Sequence, residues 1–325
     1  MKKFTDIGQF RNVVKAVRAN HDYQGQDEND KATYNHVSPY PTLDFTGTVK
    51  LHGTNAAIVK YKDGTYQFQS RSRDLTLQQD NQSFMLAMLN KDYKQLFDHI
   101  EFDEYISIYG EWCGQGIQKG IGISTLPKMF VIFAVKVDGV YLKEYIINIP
   151  KDQGIYNIYQ FDKFHCQIDF NNPELIQNTL QDMTLGVEKQ CPVAKYFGIE
   201  GIGEGIVWSH IDEVRYIFKV KGEKHQNSKV KTLITVDTEQ VKKLTDFIDY
   251  AVTENRLNQG IEVMKELGKE LDQKITGDYL RWVVNDIHKE EEDTIIANGI
   301  DIKKVNSAVS HKARIFWFNY LNNNI

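Results

Sequence analysis

Short apolar runs separated by turn residues dominate residues 43–235, and this pattern predicts strands. The runs 55–61 and 66–70 flank Lys62-Asp63-Gly64-Thr65, whose Asp-Gly pair is a strong hairpin signal. Further strands are predicted at 46–49, 105–111, 129–137, 140–147, 205–209 and 214–221. Helices are predicted near 5–19, 82–98 and 173–182, and residues 22–38 are predicted to form a loop.

The pattern changes after Thr235, where apolar residues recur at helical spacing. Ile261, Met264, Leu267 and Leu271 form one such series. We therefore expect an α+β chain of two domains, with mixed strands and helices in 1–236 and an all-helical domain in 237–325. A length of 325 residues fits two domains.

Composition excludes several classes of protein. The chain carries 39 Lys+Arg and 44 Asp+Glu, a net charge of −5, which argues against a protein that coats nucleic acid along its whole surface. No apolar run of about 18 residues occurs, so no membrane span is expected. Cys113, Cys166 and Cys191 fit neither a disulfide framework nor a CxxC metal site, and they favour a reducing cytoplasm.

The densest chemical signal is Lys50-Leu51-His52-Gly53-Thr54-Asn55, which lies between two predicted strands. Lys50 leaves a strand, and Gly53 allows the backbone to approach a ligand closely. A lysine is a nucleophile only when neutral, which at pH 7 costs about 4–5 kcal/mol from an ordinary pKa of about 10.4. Burial or nearby cations lower that cost. We therefore expect other parts of the chain to supply cationic neighbours for this lysine.

Other parts of the chain supply candidate neighbours, although each has a simpler structural interpretation. Lys219 and Lys221 lie two residues apart on a predicted strand, so both point to one face and can bind a phosphate. Glu111 and Glu204 stand beside glycines at strand ends, where a carboxylate suits Mg²⁺ or a ribose hydroxyl. The remaining candidates are Arg71 and Arg73, as phosphate donors, and Phe133, as a base-stacking or core aromatic.

Together these motifs resemble the covalent nucleotidyltransferase superfamily of ATP-dependent ligases and capping enzymes. The stretches KxHGTN, GEWCGQGIQKG, EGIVW and KVKG are most similar to RNA ligases of the RNA-ligase-2 type, and the similarity covers roughly residues 43–231. The resemblance implies an ATP-grasp-like ligase adenylation domain of antiparallel sheets with flanking helices. By position, it implies that the C-terminal helical domain helps to engage a duplex RNA end or nick.

The resemblance also implies a role for each candidate residue. Lys50 would attack the α-phosphorus of ATP, release pyrophosphate and hold AMP, with support from His52. AMP would pass to an RNA 5′-phosphate, and an RNA 3′-hydroxyl would then displace it. Glu204 would organise Mg²⁺, for which Mn²⁺ can substitute, while Glu111 would bind the ribose or a metal-bound water. The remaining nucleotide contacts would come from Val49, Leu51, Asn55, Arg71 (or Arg73), Phe133 on adenine, and Lys219 and Lys221 on the phosphates.

The distribution of charge favours RNA contact at one place. Residues 237–325 hold 12 Lys+Arg and 16 Asp+Glu, so the first 236 residues are close to neutral. Residues 215–231 hold six cations and one acid beside the predicted phosphate site. We expect the RNA backbone to follow this segment through Lys224, Lys229 and Lys231, together with Arg73. The expected partner is a nicked duplex with 5′-phosphate and 3′-hydroxyl ends, bound by a monomer in the cytoplasm (the host cytoplasm for a phage-encoded chain).

Two alternatives stay open at this point. A GTP-dependent mRNA capping guanylyltransferase would use the same lysine to hold GMP. A non-catalytic RNA-binding clamp would keep the fold without the chemistry. His52 stands where capping enzymes usually carry Asp, which favours the RNA ligases. Val49 stands where related ligases often carry a Glu that reads adenine, so the adenine contact must come from backbone groups or from another side chain.

Overall fold

The structure is a computed structural model that describes residues 1–35, 39–142, 149–210, 216–222 and 240–324. Its contacts divide the chain into two units, Met1–Lys224 and His225–Ile325. The described part of the first unit combines sheets with helices, and that of the second is helical, so the predicted α+β class is confirmed. The predicted domain boundary at 236/237 lies outside the described residues and stays a prediction.

Most elements of the first unit are strands. Its helices are α1 (Phe10–Asp22), α2 (Phe84–Leu89), α3 (Gln177–Lys189) and α4 (Pro192–Tyr196). Its strands are β1 (Tyr23–Gln26), β2 (Ala32–Tyr34), β3 (Thr42–Lys50), β4 (Thr54–Tyr61), β5 (Tyr66–Ser70), β6 (Tyr105–Cys113), β7 (Met129–Val137), β8 (Val140–Tyr141), β9 (Ile155–Asn157), β10 (Phe164–Asp169), β11 (Gly205–His210) and β12 (Ile217–Lys221).

Two sheets position the candidate site. The smaller has the order β10-β3-β11-β12, and every neighbouring pair is antiparallel. The larger has the order β5-β4-β6-β7-β8, with β9 added parallel to β7. The antiparallel pairing agrees with the predicted hairpins, and the β4–β5 turn forms at Asp63-Gly64, where Gly64 has φ +83°.

One hydrophobic core joins the two sheets. Val49 and Ile206 of the smaller sheet are buried in the same cluster as Cys113 and Val131 of the larger sheet. Val13 and Val17 of α1 belong to this cluster too, because they lie at helical spacing on one face. The opposite face of the larger sheet packs against α2 in a second cluster that includes Phe84, Ile108 and Phe130. The two faces of the larger sheet therefore have different roles, and one of them adjoins the smaller sheet.

The second unit is a bundle of helices with its own core. Its helices are α5 (Gln240–Ala251), α6 (Glu254–Glu266), α7 (Thr276–Ala297) and α8 (Ile302–Asn324). The fully buried Tyr279 and Trp317 stack with ring centroids 4.6 Å apart. The fully buried Arg256 forms ion pairs with Asp286 at 2.8 Å and Glu290 at 3.1 Å. Among the described residues, no helix is both long enough and apolar enough to cross a membrane.

Several predicted elements were wrong in their bounds. The first helix begins at Phe10 rather than near residue 5, because residues 1–8 instead contact the two sheets. Part of the predicted 22–38 loop is the β1–β2 hairpin, whose turn is closed by the Asp27 carboxylate accepting from two backbone N–H groups. The predicted helix 82–98 is α2 followed by a separate 3₁₀ turn at Tyr93–Phe97, and the third helix runs on to Lys189. Residues 143–147 of the predicted strand 140–147 and residues 214–215 of the predicted strand 214–221 lie outside the described part.

Candidate active site

Lys50 and Lys221 are brought together by the smaller sheet. Gly205 of β11 pairs with Lys50 of β3 on one side and with Lys221 of β12 on the other. The three residues therefore form one row across three strands, and the two lysine side chains lie on the same face. A Cβ on Gly205 would lie 2.9 Å from the Lys221 Cα and against the Val220 carbonyl oxygen. Only glycine lets the strands meet this closely between the two lysines.

Glu204 precedes this row and joins the lysines. Its carboxylate is 3 % exposed, and its Oε2 lies 2.6 Å from Lys50 Nζ. Its Oε1 lies 3.2 Å from Lys221 Nζ. Burial raises the pKa of the Glu204 carboxyl, but Lys50, Lys221 and His52 together outweigh burial and hold that pKa well below its ordinary value. The structure thus places a buried carboxylate between two cations that are both mostly buried.

His52 and Glu111 complete the loop that follows Lys50. His52 Nδ1 lies 3.2 Å from Glu204 Oε2, so Lys50 and His52 contact the same carboxylate oxygen. The Gly53 N–H donates to Glu111 Oε1 at 2.9 Å. A Cβ on Gly53 would lie 2.7 Å from Cys113 Cβ and against the Trp112 carbonyl oxygen. Glycine at 53 therefore allows the loop after β3 to lie directly on the end of β6.

Phe133 lies on the same face of β7 as Val131, which is buried in the core between the sheets, as alternation along a strand requires. Tyr109 pairs with Ala134 and Gly110 pairs with Ile132, so Phe133 is the extra residue of a β-bulge. It packs against the cluster between the sheets and against the small cluster around Tyr109. Asn55 and Glu111 are cross-strand partners, so their side chains lie on a common face of the larger sheet.

Val49 and Leu51 flank Lys50, and their side chains point away from the row. Val49 is 3 % exposed and Leu51 is 6 % exposed, and both belong to the core between the sheets. Alternation along β3 explains this orientation for Val49, because neighbouring side chains lie on opposite faces of a strand. These two predicted nucleotide residues can therefore offer a ligand only their backbone groups.

The two candidate arginines have different surroundings. Arg71 Nη2 lies 2.7 Å from Asp6 Oδ1, and both side chains are more than half exposed. Arg73 donates instead to two backbone carbonyl oxygens, those of Gln79 and Asp80. Its guanidinium thereby holds the loop that leads into α2.

Lys219 lies on the same face of β12 as Lys221, and its strand partner is Val207. The predicted RNA contacts Lys224, Lys229 and Lys231 lie outside the described residues. Within the described ranges, no group of three or more His, Cys, Asp or Glu residues is placed to hold a metal ion. The two predicted metal residues both contact the loop that follows Lys50. Glu204 contacts His52, and Glu111 accepts a hydrogen bond from the Gly53 N–H.

A family model for RNA ligases matches residues 43–221, which is more than half of the chain. The chain belongs to the RNA ligase family. The family predicted from the sequence motifs is thereby confirmed, and the matched range ends at the lysine that contacts Glu204 from β12.

Solved structures similar to this RNA ligase family member include those of an RNA ligase from Naegleria gruberi. Its structure with pyrophosphate is 19% identical, with a TM-score of 0.42, and the match covers 69% of this chain and 56% of that chain. Two variants, solved with ATP and Mn and with AMP and Mn, are 15% and 16% identical with TM-scores of 0.43 and 0.44. The match to the ATP-bound variant covers 69% of this chain and 57% of that chain, and the match to the AMP-bound variant covers 69% and 56%. The similarity thus spans little more than half the length of those chains, and no curated protein sequence matches this one.

Two residues beside the site had no signal in the sequence. Phe4 packs 5.0 Å from Phe133, ring centroid to ring centroid, and Asp6 pairs with Arg71. Asp6 lies in the predicted helix 5–19, and Phe4 immediately precedes that helix. Because their partners are separated from them by 65 residues or more, no local pattern could have identified them.

Proposed function

We propose that this RNA ligase family member joins RNA 3′-hydroxyl and 5′-phosphate ends with ATP and Mg²⁺, through a lysyl-AMP intermediate and an adenylylated RNA 5′ end. One observation carries the proposal: the buried Glu204 carboxylate contacts Lys50, Lys221 and His52 at 2.6–3.2 Å. The proposed chemistry needs one lysine as nucleophile and a second cation for the phosphates, and this arrangement supports both.

In the first step, Lys50 loses a proton to solvent, and its lone pair attacks the α-phosphorus of ATP. A P–N bond forms, and the bond from the α-phosphorus to the pyrophosphate oxygen breaks, so pyrophosphate carries away the electron pair. Glu204 fixes the position of Lys50 Nζ before attack. Lys221 and Lys219, on one face of β12, stabilise the negative charge that builds up on the phosphates.

In the later steps the AMP group moves twice. An oxygen of the RNA 5′-phosphate attacks the phosphorus of lysyl-AMP, the P–N bond breaks, and Lys50 takes up a proton again. The RNA 3′-hydroxyl then attacks the activated 5′-phosphorus and loses its proton, and AMP leaves with the bonding electrons. The products are one phosphodiester and AMP, besides the pyrophosphate released earlier.

The two acidic residues fit a magnesium ion that is shared with the substrate. Mg²⁺ binds oxygen ligands, usually one or two carboxylates together with phosphate oxygens and waters, and here the candidate carboxylates are Glu204 and Glu111. Since both Glu204 oxygens already contact cations, that residue suits a water-mediated contact better than a direct one. The ion would supply charge stabilisation for the phosphates.

The proposed partner is a nicked duplex RNA, bound by a monomer. Support for a phosphate-binding surface in the second unit comes from α8, which contains no Asp or Glu. Lys304, His311 and Arg314 are exposed on it, at helical spacings that place them on one side. Such a stripe of cations suits an RNA backbone, although the second unit as a whole is acidic.

The proposed nucleotide is ATP rather than GTP, with Phe133 stacked on the adenine. The side chain of Val49 is buried in the core, so we propose that the base is read by backbone groups beside Lys50 or by Asn55. Capping with GTP and RNA binding without catalysis are the two competing functions. The clustering of two lysines and a histidine on one buried carboxylate favours catalysis, because a clamp does not need a positioned nucleophile.

One experiment separates these functions. The full chain is incubated with Mg²⁺ and either α-labelled ATP or α-labelled GTP, and covalent adducts are measured by denaturing gel and intact mass. We expect an AMP adduct that is abolished in Lys50→Ala and kept in Lys163→Ala, whose side chain is exposed. A GMP adduct would indicate capping, and the lack of any adduct would exclude both enzymes. Sealing of a nicked RNA duplex by the wild-type chain then tests the later steps.

A further inference from the structure

Residues 2–8 form an N-terminal strap that crosses the edge of the candidate nucleotide site. The Lys2 N–H donates to Gln69 Oε1 at 3.0 Å, and Tyr109 Oη donates to the Lys2 carbonyl oxygen at 3.2 Å. At the other end of the strap, Gly8 bridges to Phe218 of β12, and its carbonyl oxygen accepts from the Lys219 N–H at 3.1 Å. The strap is thus fixed to the larger sheet at one end and to the smaller sheet at the other.

The middle of the strap is fixed as well. Phe4 packs among three aromatic rings, with centroid distances of 5.4 Å to Tyr109, 5.0 Å to Phe133 and 5.6 Å to Tyr141. The Thr5 N–H donates to Tyr141 Oη at 3.0 Å. These contacts leave little freedom in the backbone position of the next residue, Asp6.

Asp6 directs its carboxylate at Arg71. Its Oδ1 lies 2.7 Å from Arg71 Nη2, whereas the side chains themselves are 61% and 60% exposed. A long, exposed arginine loses considerable side-chain freedom when it binds a ligand. A carboxylate on a fixed backbone reduces that loss before the ligand arrives.

We propose that the N-terminal strap is a positioning element of the nucleotide site and that Asp6 acts by orienting Arg71 towards the nucleotide. This inference rests on the proposed function, because Arg71 is expected to contact the ribose or a phosphate. It assigns to residues 2–8, outside the matched range 43–221, a part in the binding of ATP. Asp6 is a positioning residue and makes no contact with the reacting atoms.

The test measures the first step alone, as the rate of AMP-adduct formation on the full chain at increasing ATP concentration. Asp6→Asn should raise the half-saturating ATP concentration by about three- to fivefold, as expected for an exposed ion pair, with the limiting rate changed much less. Asp6→Glu should restore most of the affinity. Lys163→Ala, which removes an exposed side chain outside the strap, is the control and should behave as wild type.

A double-mutant cycle with Arg71→Ala distinguishes positioning from a general effect on folding. If Asp6 acts through Arg71, Asp6→Asn adds nothing once Arg71 is removed. Full additivity, an unchanged half-saturating concentration, or tighter ATP binding by Asp6→Asn would each overturn the proposal. A wild-type chain that forms no AMP adduct would overturn the proposed function itself, so the two failures give different results.

Discussion

Replacing Glu204 with Gln removes the charge that holds the candidate active site together. The carboxylate is buried, and it contacts Lys50, Lys221 and His52. The amide has a similar shape but no charge, and its nitrogen cannot accept a hydrogen bond from a lysine. The substitution therefore leaves two mostly buried ammonium groups facing each other without a counter-ion.

The magnitude follows from the geometry. Both lysines contact one carboxylate, so their nitrogens lie within about 8 Å of each other, and their repulsion is about 2 kcal/mol at an effective dielectric constant near 20. Removing one partner of a buried ion pair generally costs about 3–5 kcal/mol. We expect a loss of about 3 kcal/mol in the free energy of unfolding of the first unit. For a unit of this size that corresponds to a decrease in Tm of about 6–12 °C.

Differential scanning calorimetry of the full chain measures this change, and the adenylylation assay run in parallel should show a severe loss of AMP adduct. Glu200→Gln is the matched control, because Glu200 is exposed and only four residues away. A Tm within 2 °C of wild type, together with near-normal adduct formation, would refute the assignment of Glu204 as the residue that organises the lysines.

The same variant tests the pH dependence. The folded chain holds the pKa of Glu204 well below the ordinary value of 4.5. The ionised carboxylate therefore contributes stability that is fully present above pH 4.5 and is lost as the pH falls through the folded-state pKa. The difference in Tm between wild type and Glu204→Gln should be complete at pH 7 and should shrink in acid. A difference that grew as the pH fell would show that the carboxyl is protonated in the folded chain.

Three further predictions concern other parts of the chain. Gly53→Ala should abolish AMP-adduct formation, since a Cβ would overlap the Trp112 carbonyl, and normal adduct formation would contradict this close approach. Arg256→Met should destabilise the second unit by about 3–5 kcal/mol in calorimetry, because it removes the buried cation that pairs with Asp286, Glu290 and Glu291; an unchanged Tm would show that this buried network is dispensable. Lys304→Ala with Arg314→Ala should weaken binding of a nicked RNA duplex and reduce the slope of its salt dependence by about two, whereas an unchanged slope would place the RNA elsewhere.

The local parts of the fold and site could be predicted because their signals lie within a few residues. The Asp63-Gly64 hairpin forms where its turn residues indicate, and the strands that carry Lys50 and Lys221 were predicted from their apolar runs. Alternation along β3 already implies that Val49 points away from Lys50. The buried side chain of Val49 agrees with that implication.

Other features depend on pairings that the sequence does not encode locally. The β-bulge at Phe133 shifts the register of β6 against β7, and periodicity along one strand cannot supply that register. The 82–98 segment looked like one helix, yet it is interrupted between α2 and the following 3₁₀ turn. The Asp80 carboxylate, which accepts from the N–H groups of Met85 and Leu86, fixes the start of α2 instead.

The strap lies in a short stretch of the first unit that is difficult to interpret from the sequence. Residues 1–8 contain few apolar positions, and Phe4 alone gives no periodic signal. Phe4 packs on Tyr109 of β6 and Phe133 of β7, so the strap takes its position from residues more than 100 positions away along the sequence. Asp6 can then reach Arg71 because Phe4 and Gly8 are fixed on either side of it. Asp6 therefore reaches Arg71 only in the folded chain, where both sheets fix the strap, and the cycle with Arg71→Ala measures the coupling between these two side chains.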